Sequence, residues 1–200
     1  LGSATGCYRY AATLMFGVGG AKDETAATPY LKKACDANVH GACTDLARFH
    51  ANGLGGLTRD PAAARGLNKR ACDLGSRQGC FDYAYMLDMA VGGPEDKAAA
   101  RALYKTACDQ GEPSACNNLA YMIENGFGGS AKNVAEAFEL YKKVCDNGNI
   151  SGCQNSARDM YSGQVGAKDM VQIVAWYKKA CDGNLALGCG WLAHLMANGE

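Results

Sequence analysis

Val134-Ala135-Glu136-Ala137-Phe138-Glu139-Leu140-Tyr141-Lys142-Lys143 runs into Val144-Cys145-Asp146, and a second cysteine, Cys153, stands eight residues after the first. Apolar side chains three and four apart, with Glu and Lys between them, make the leading stretch an amphipathic helix. Asn133 precedes it, a residue whose side chain can accept a hydrogen bond from the first free N–H groups of a helix. Gly148 follows Cys145 by three residues and permits the left-handed turn that closes a helix. A second helix then begins near Cys153, which follows the small Gly152, and carries Ala157 four residues further on. A methyl group at that point lets two helices approach closely.

The same sentence of residues is written five times. Cys35 and Cys43, Cys72 and Cys80, Cys108 and Cys116, Cys145 and Cys153, and Cys181 and Cys189 are pairs of equal spacing that recur every 36 or 37 residues. Asp23, Asp60, Asp96, Asn133 and Asp169 mark the helix starts, with Pro61 at a position where no amide is needed. Gly75, Gly111 and Gly148, with Asn38 and Asn184, mark the ends. The second helices share Ala11, Ala47, Ala84, Ala120, Ala157 and Ala193, followed three residues later by Leu14, His50, Leu87, Ile123, Met160 and Met196 as a predicted buried stripe. Glycine turns such as Gly53 to Gly56 and Gly126 to Gly129 stop them. Self-similarity of this period marks an array of supersecondary units. With no strand signal anywhere, the architecture is a stacked α-solenoid. We read one repeat domain, 1–200, with a partial unit at about 1–23 that holds a second helix alone, then units at about 24–60, 61–96, 97–133, 134–169 and 170–200.

Lys and Arg number 20, as do Asp and Glu, and they are scattered, so the formal charge is zero. No basic stripe follows a phosphate backbone and no cationic helix suits anionic lipid, which disfavours nucleic acid and membrane surfaces as partners. No apolar run reaches the roughly 20 residues that span a bilayer. Eleven cysteines are more than a reducing cytosol ordinarily supports, so a secreted or periplasmic, oxidising location is expected, the sequence being a mature or trimmed form.

Leu119-Ala120, Gly126-Phe127-Gly128-Gly129, Asn133, Ala137 and Leu140-Tyr141-Lys142-Lys143, and above all Ala175-Trp176-Tyr177-Lys178-Lys179-Ala180, resemble the Sel-one-like repeat, a relative of the tetratricopeptide repeat. The resemblance covers essentially the whole chain. Cysteines paired eight apart make it similar to the cysteine-rich secreted branch, the Helicobacter cysteine-rich proteins. It implies an all-α, right-handed α/α superhelical solenoid with one disulfide per repeat, outside the cytoplasm, that binds host partners or penicillin-like compounds. Ser156 and His50 in apolar slots, and Ala90 in place of a turn glycine, depart from the pattern.

Three readings compete for the cysteine pairs. Zinc normally takes four clustered ligands, and two thiols joining two helices supply only half, so no metal is expected. Buried unpaired thiols would leave five equal spacings without a cause. Disulfides Cys35–Cys43, Cys72–Cys80, Cys108–Cys116, Cys145–Cys153 and Cys181–Cys189 are the favoured reading, each closing a tight turn. Cys7 aligns with the second member of a pair whose first member would precede Leu1, so Cys7 is expected free or intermolecular, an upstream helix having been removed.

No catalytic site emerges. Neither S-x-x-K nor G-x-S-x-G occurs, and His40, His50 and His194 form no H-E-x-x-H, so the less favoured alternative, a weak β-lactam-binding or β-lactamase hydrolase, rests on the resemblance alone. No cofactor is expected. Binding has better support. If the second-cysteine helices line a concave groove, as the tetratricopeptide relation implies, exposed positions should differ between copies while core positions stay fixed. One register reads Tyr8, Thr44, Phe81, Asn117 and Gln154, the next Arg48, Tyr85, Tyr121, Arg158 and His194, and a third Asp88, Glu124 and Tyr161. Aromatics, arginines and amides along a groove suit an extended peptide. The expected activity is capture of a protein or peptide by a monomeric scaffold, with Arg48, Phe81, Tyr85, Asp88, Asn117, Tyr121, Glu124, Gln154, Arg158 and His194 as the groove residues.

Overall fold

The structure, a computed structural model, describes residues 3–199. Eleven helices and no strand occur among them: α1 Ala4–Phe16, α2 Glu24–Asp36, α3 His40–Asn52, α4 Pro61–Asp73, α5 Arg77–Asp88, α6 Lys97–Asp109, α7 Pro113–Asn125, α8 Val134–Asp146, α9 Ile150–Tyr161, α10 Met170–Asp182 and α11 Ala186–Ala197. The fold class is the all-α repeat solenoid. The chain divides into two compact units, Leu1–Ala107 and Cys108–Glu200.

Local sequence explains where each helix begins and ends. The carboxylates of Asp23, Asp60, Asp96 and Asp169 and the amide oxygen of Asn133 each accept a hydrogen bond from the N–H three residues on, at 2.8–3.1 Å. Each even-numbered helix ends one residue past its cysteine. The chain then turns through positive φ at Asn38, Gly75, Gly111, Gly148 or Asn184. Second helices begin three residues before their cysteine, earlier than the sequence marks them. They are capped by the side chains of Ser3, Ser76, Glu112 and Asn149, and at Val39 and Leu185 by no side chain.

In the first unit each helix from α1 to α5 packs on its chain neighbour, and α3 also meets α5. Cys7, Ala11 and Met15 of α1 share one core cluster with Ala27 and Leu31 of α2 and Leu46 and Phe49 of α3. The second unit packs α7 to α11 in the same succession, around Phe138, Ile173, Trp176, Tyr177 and Leu195. Phe138 and Trp176 meet edge to face at 6.0 Å. Five of the six repeated alanines, Ala11, Ala47, Ala84, Ala120 and Ala157, are fully buried. Ala193 is exposed, and Met196 on the same helix is 70 % exposed. These two depart from the expected stripe because no described helix covers that side of α11. Leu87 and Ile123 are buried, whereas Leu14, His50 and Met160 are only half-buried.

The small residue before each second cysteine is where the two helices of a hairpin nearly touch. A Cβ added at Gly79 would lie 2.6 Å from the Ala71 Cβ and 3.0 Å from the Cys72 amide nitrogen. Five disulfides close the hairpins, Cys35–Cys43, Cys72–Cys80, Cys108–Cys116, Cys145–Cys153 and Cys181–Cys189, with Cα separations of 4.3–4.7 Å. Cys7 is buried in the α1 core and belongs to none of these bridges.

Ten residues after the second cysteine, Gly17, Gly53, Gly126 and Gly163 have φ of 66–76°, and the same position after α5 holds Ala90 at φ 54°. A Cβ in the left-handed region costs about 1 kcal/mol. Ala90→Gly is therefore expected to raise the thermal midpoint by roughly 2–4 °C, measured by circular dichroism. An unchanged or lower midpoint would show that the turn carries no such penalty.

Candidate functional site

The predicted groove residues sit on second helices, and each unit holds its own segment of that surface. In the first unit, α3 and α5 face a cleft of about 490 Å³ lined by Thr44, Asp45, Arg48, Asn52, Tyr85 and Met86 among others, with Asn68 from α4. Arg48 is exposed and pairs with Asp45 at 3.6 Å. Asp45 also accepts the Tyr8 hydroxyl at 3.0 Å, and the phenol is pushed up to about 12 by burial and by that carboxylate. Tyr85 is 47 % exposed. Phe81 is half-buried against Tyr104, ring centroids 6.0 Å apart. Asp88 turns inward: it is buried and held by Lys97, the first residue of α6, at 3.1 Å, so its charge is spent inside the protein.

In the second unit the structure gathers several predicted residues into one polar chain. Arg158 of α9 reaches Glu124 of α7 at 2.6 Å and its own neighbour Asp159 at 2.7 Å. Glu124 also accepts the Tyr141 hydroxyl at 3.0 Å. Burial, then the Glu124 carboxylate, push that phenol far above its ordinary range. Asn155 donates to Asn117 at 3.1 Å. Gln154 is half-buried, with its Oε1 lacking a hydrogen-bond partner. Tyr121 is 45 % exposed and meets Phe127 edge to face. His194 lies apart from this chain on α11, edge-on to Trp191 at 5.6 Å. Asp159 is fully buried, its Oδ2 has no hydrogen-bond partner, and desolvation raises its carboxyl above the usual carboxylate range against the pull of Arg158.

Sequence reading missed Asp45, Asn155 and Asp159, which orient the exposed residues, and it missed Asn68. Two aligned columns carry the signal. Four residues before each first cysteine stand Leu31, Asn68, Tyr104, Tyr141 and Tyr177, and eight after each second cysteine stand Met15, Ala51, Asp88, Glu124 and Tyr161. Tyr104, Tyr141 and Tyr177 are completely buried. Among the described residues no three His, Cys, Asp or Glu side chains cluster closely enough to hold a metal ion, and no helix is long and apolar enough to cross a membrane.

Disulfide-closed helical hairpins with fixed contacts inside and varied side chains outside define a helical-repeat scaffold. The chain belongs to the Sel1 repeat family, whose pattern matches residues 4–39, 40–76, 77–112, 113–149 and 163–185. The first four of those units begin on second helices, half a repeat out of phase with the hairpins counted above, so the first three disulfides each join consecutive Sel1 units. A Sel1 repeat protein from Oxalobacter formigenes is similar in structure with TM-score 0.90 at 21 % identity, the match covering 99 % of this chain and 80 % of that one. A protective antigen of uropathogenic Escherichia coli displaying an SLR fold matches over all of this chain with TM-score 0.86 at 21 % identity, and this chain spans 42 % of its length. Helicobacter pylori cysteine rich protein B matches at 25 % identity and TM-score 0.50, over 66 % of this chain and 93 % of that chain. No curated protein shows significant sequence similarity.

Proposed function

We propose that the chain is a secreted or periplasmic scaffold that binds a protein or peptide along the exposed faces of its second helices. The observation that carries this reading is the contrast between two columns. Four residues after the second cysteine the alanine repeats and is buried in five of six copies, whereas one residue later the copies read Arg48, Tyr85, Tyr121, Arg158 and His194, of which Arg48, Tyr85, Tyr121 and His194 stand exposed. Large amphipathic rings at matching register supply contact area at little entropic loss, the usual composition of a binding surface. Sel1 repeat scaffolds typically mediate protein interactions, and five disulfides suit an oxidising compartment.

The test is a triple variant, Arg48→Ala, Tyr85→Ala and Tyr121→Ala, used as bait against the native extracytoplasmic extract beside the parent chain. Partner capture is expected to fall at least tenfold, since truncating central aromatic and Arg anchors costs about 1–4 kcal/mol each, while circular dichroism stays the same. Undiminished capture would remove these faces from the binding surface. The β-lactam reading has no serine–base motif behind it, and steady nitrocefin turnover by purified protein would restore it.

A further inference from the structure

The two aligned columns behave as a matched pair of slots, one on each of two packed helices. Met15 faces Leu31's column with an apolar pair buried in one cluster, and Glu124 binds the Tyr141 hydroxyl at 3.0 Å. In each of the other pairs at least one member is large. Only Ala51 and Asn68 are both too small to fill the space, and there the first unit has its cleft of about 490 Å³, which Ala51 and Asn68 both line. Asn68 is 7 % exposed, and its Oδ1 is buried without a hydrogen-bond partner. Its amide nitrogen has only the Met86 sulfur, at 3.5 Å. An unsatisfied buried amide oxygen is costly and marks a place where a donor is missing.

We infer that this cleft is a pocket for a phenol ring supplied from outside, the side chain of a tyrosine in the bound segment, which takes the place that Tyr104, Tyr141 and Tyr177 fill from within in the later hairpins. Ala47, Ala51 and Val91 offer apolar walls, Met86 offers a sulfur that packs well against an aromatic ring, and the ring's hydroxyl donates to Asn68 Oδ1. Such a site, mostly apolar with one placed polar group, is the ordinary make-up of a ligand pocket. The tyrosine's origin in a bound segment rests on the groove reading above; the pocket's chemistry does not.

The experiment is a titration of the whole chain with p-cresol, followed by ¹H–¹⁵N correlation spectra, with toluene as the ring that lacks a donor. Saturable shifts are expected at Ala47, Ala51, Asn68 and Met86, with toluene at least tenfold weaker. Asn68→Tyr fills the slot from within, so it is expected to abolish those shifts and to raise the thermal midpoint. Ala51→Leu narrows the cleft from α3 and is expected to weaken p-cresol at least fivefold, which keeps the test available if Asn68→Tyr folds poorly. Absence of saturable shifts, toluene binding as well as p-cresol, or p-cresol binding undiminished in Ala51→Leu would each overturn the pocket. Loss of partner capture in the single variant Tyr121→Ala, a residue outside the cleft lining, with p-cresol binding intact separates the two claims.

Discussion

Replacing Cys145 and Cys153 together by Ala is expected to lower the stability of the oxidised protein by about 2.5 kcal/mol, the chain-entropy value for so short a loop, or roughly 5–10 °C in thermal midpoint. In a repeat array each hairpin touches only its neighbours, so stability is a sum of local terms and no distant contact compensates for a lost one. Cys145 and Cys153 are both buried, and the bridge follows directly on Gly152, where an added Cβ would press on the Val144 side chain and lie 3.0 Å from the Tyr141 carbonyl oxygen. Truncation there also leaves a small void. The matching double replacement at Cys181 and Cys189, both half-buried, acts on the hairpin that ends the second unit. It is expected to produce early fraying ahead of the main transition, with that transition nearly in place. Differential scanning calorimetry reads both; equal, negligible effects at the two pairs would show that the bridges hold nothing.

Arg158→Ala is expected to cost about 2–4 kcal/mol at pH 8, toward the lower part of the range for breaking a buried pair because the guanidinium itself is partly exposed. The loss comes from what it leaves behind. Asp159 is fully buried with one oxygen already unpartnered, and Arg158 supplies the bonds to the other. Glu124 keeps the Tyr141 hydroxyl, so most of the deficit falls on Asp159. That carboxyl is raised in the folded protein by desolvation even with Arg158 present, and removing the guanidinium raises it further. A carboxyl whose folded value lies above its unfolded value of about 3.9 favours the folded state at pH below that unfolded value, and it penalises folding progressively as pH rises through the folded value. The deficit of Arg158→Ala relative to the parent should therefore shrink as pH falls from 8 toward 4. Denaturant melts at the two ends of that range measure it, and a deficit independent of pH would place the damage elsewhere than Asp159.

Helix placement was legible in the sequence to within a few residues because caps, periodicity and chain-closing glycines are local signals repeated in every copy. Asp60 and Gly75 bound α4 as their chemistry requires. The second helices start earlier than their cysteines because Ser76 and Asn149 cap from positions that only the closed turn brings into place. The exposed ends defied the repeat pattern: Ala193 and Met196 hold core positions in the periodicity, and burial depends on what packs against them rather than on period. The groove residues were legible as a register but not as chemistry. Asp88 and Glu124 share a column, yet Lys97 draws the first into the protein while Arg158 and Tyr141 hold the second. Asn68 was invisible in the search for outward-facing residues because its meaning comes from a comparison of buried positions, where a small amide replaces a phenol.

Alkylation of the intact protein at neutral pH, followed by proteolysis without reductant and mass spectrometry of the peptides, tests most directly whether each hairpin is closed by its own sulfur bridge. Five peptide links are expected, every one joining cysteines eight positions apart, with those ten sulfurs protected from the alkylating agent. Alkylated sulfur at those ten positions, or links that cross between hairpins, would contradict the account.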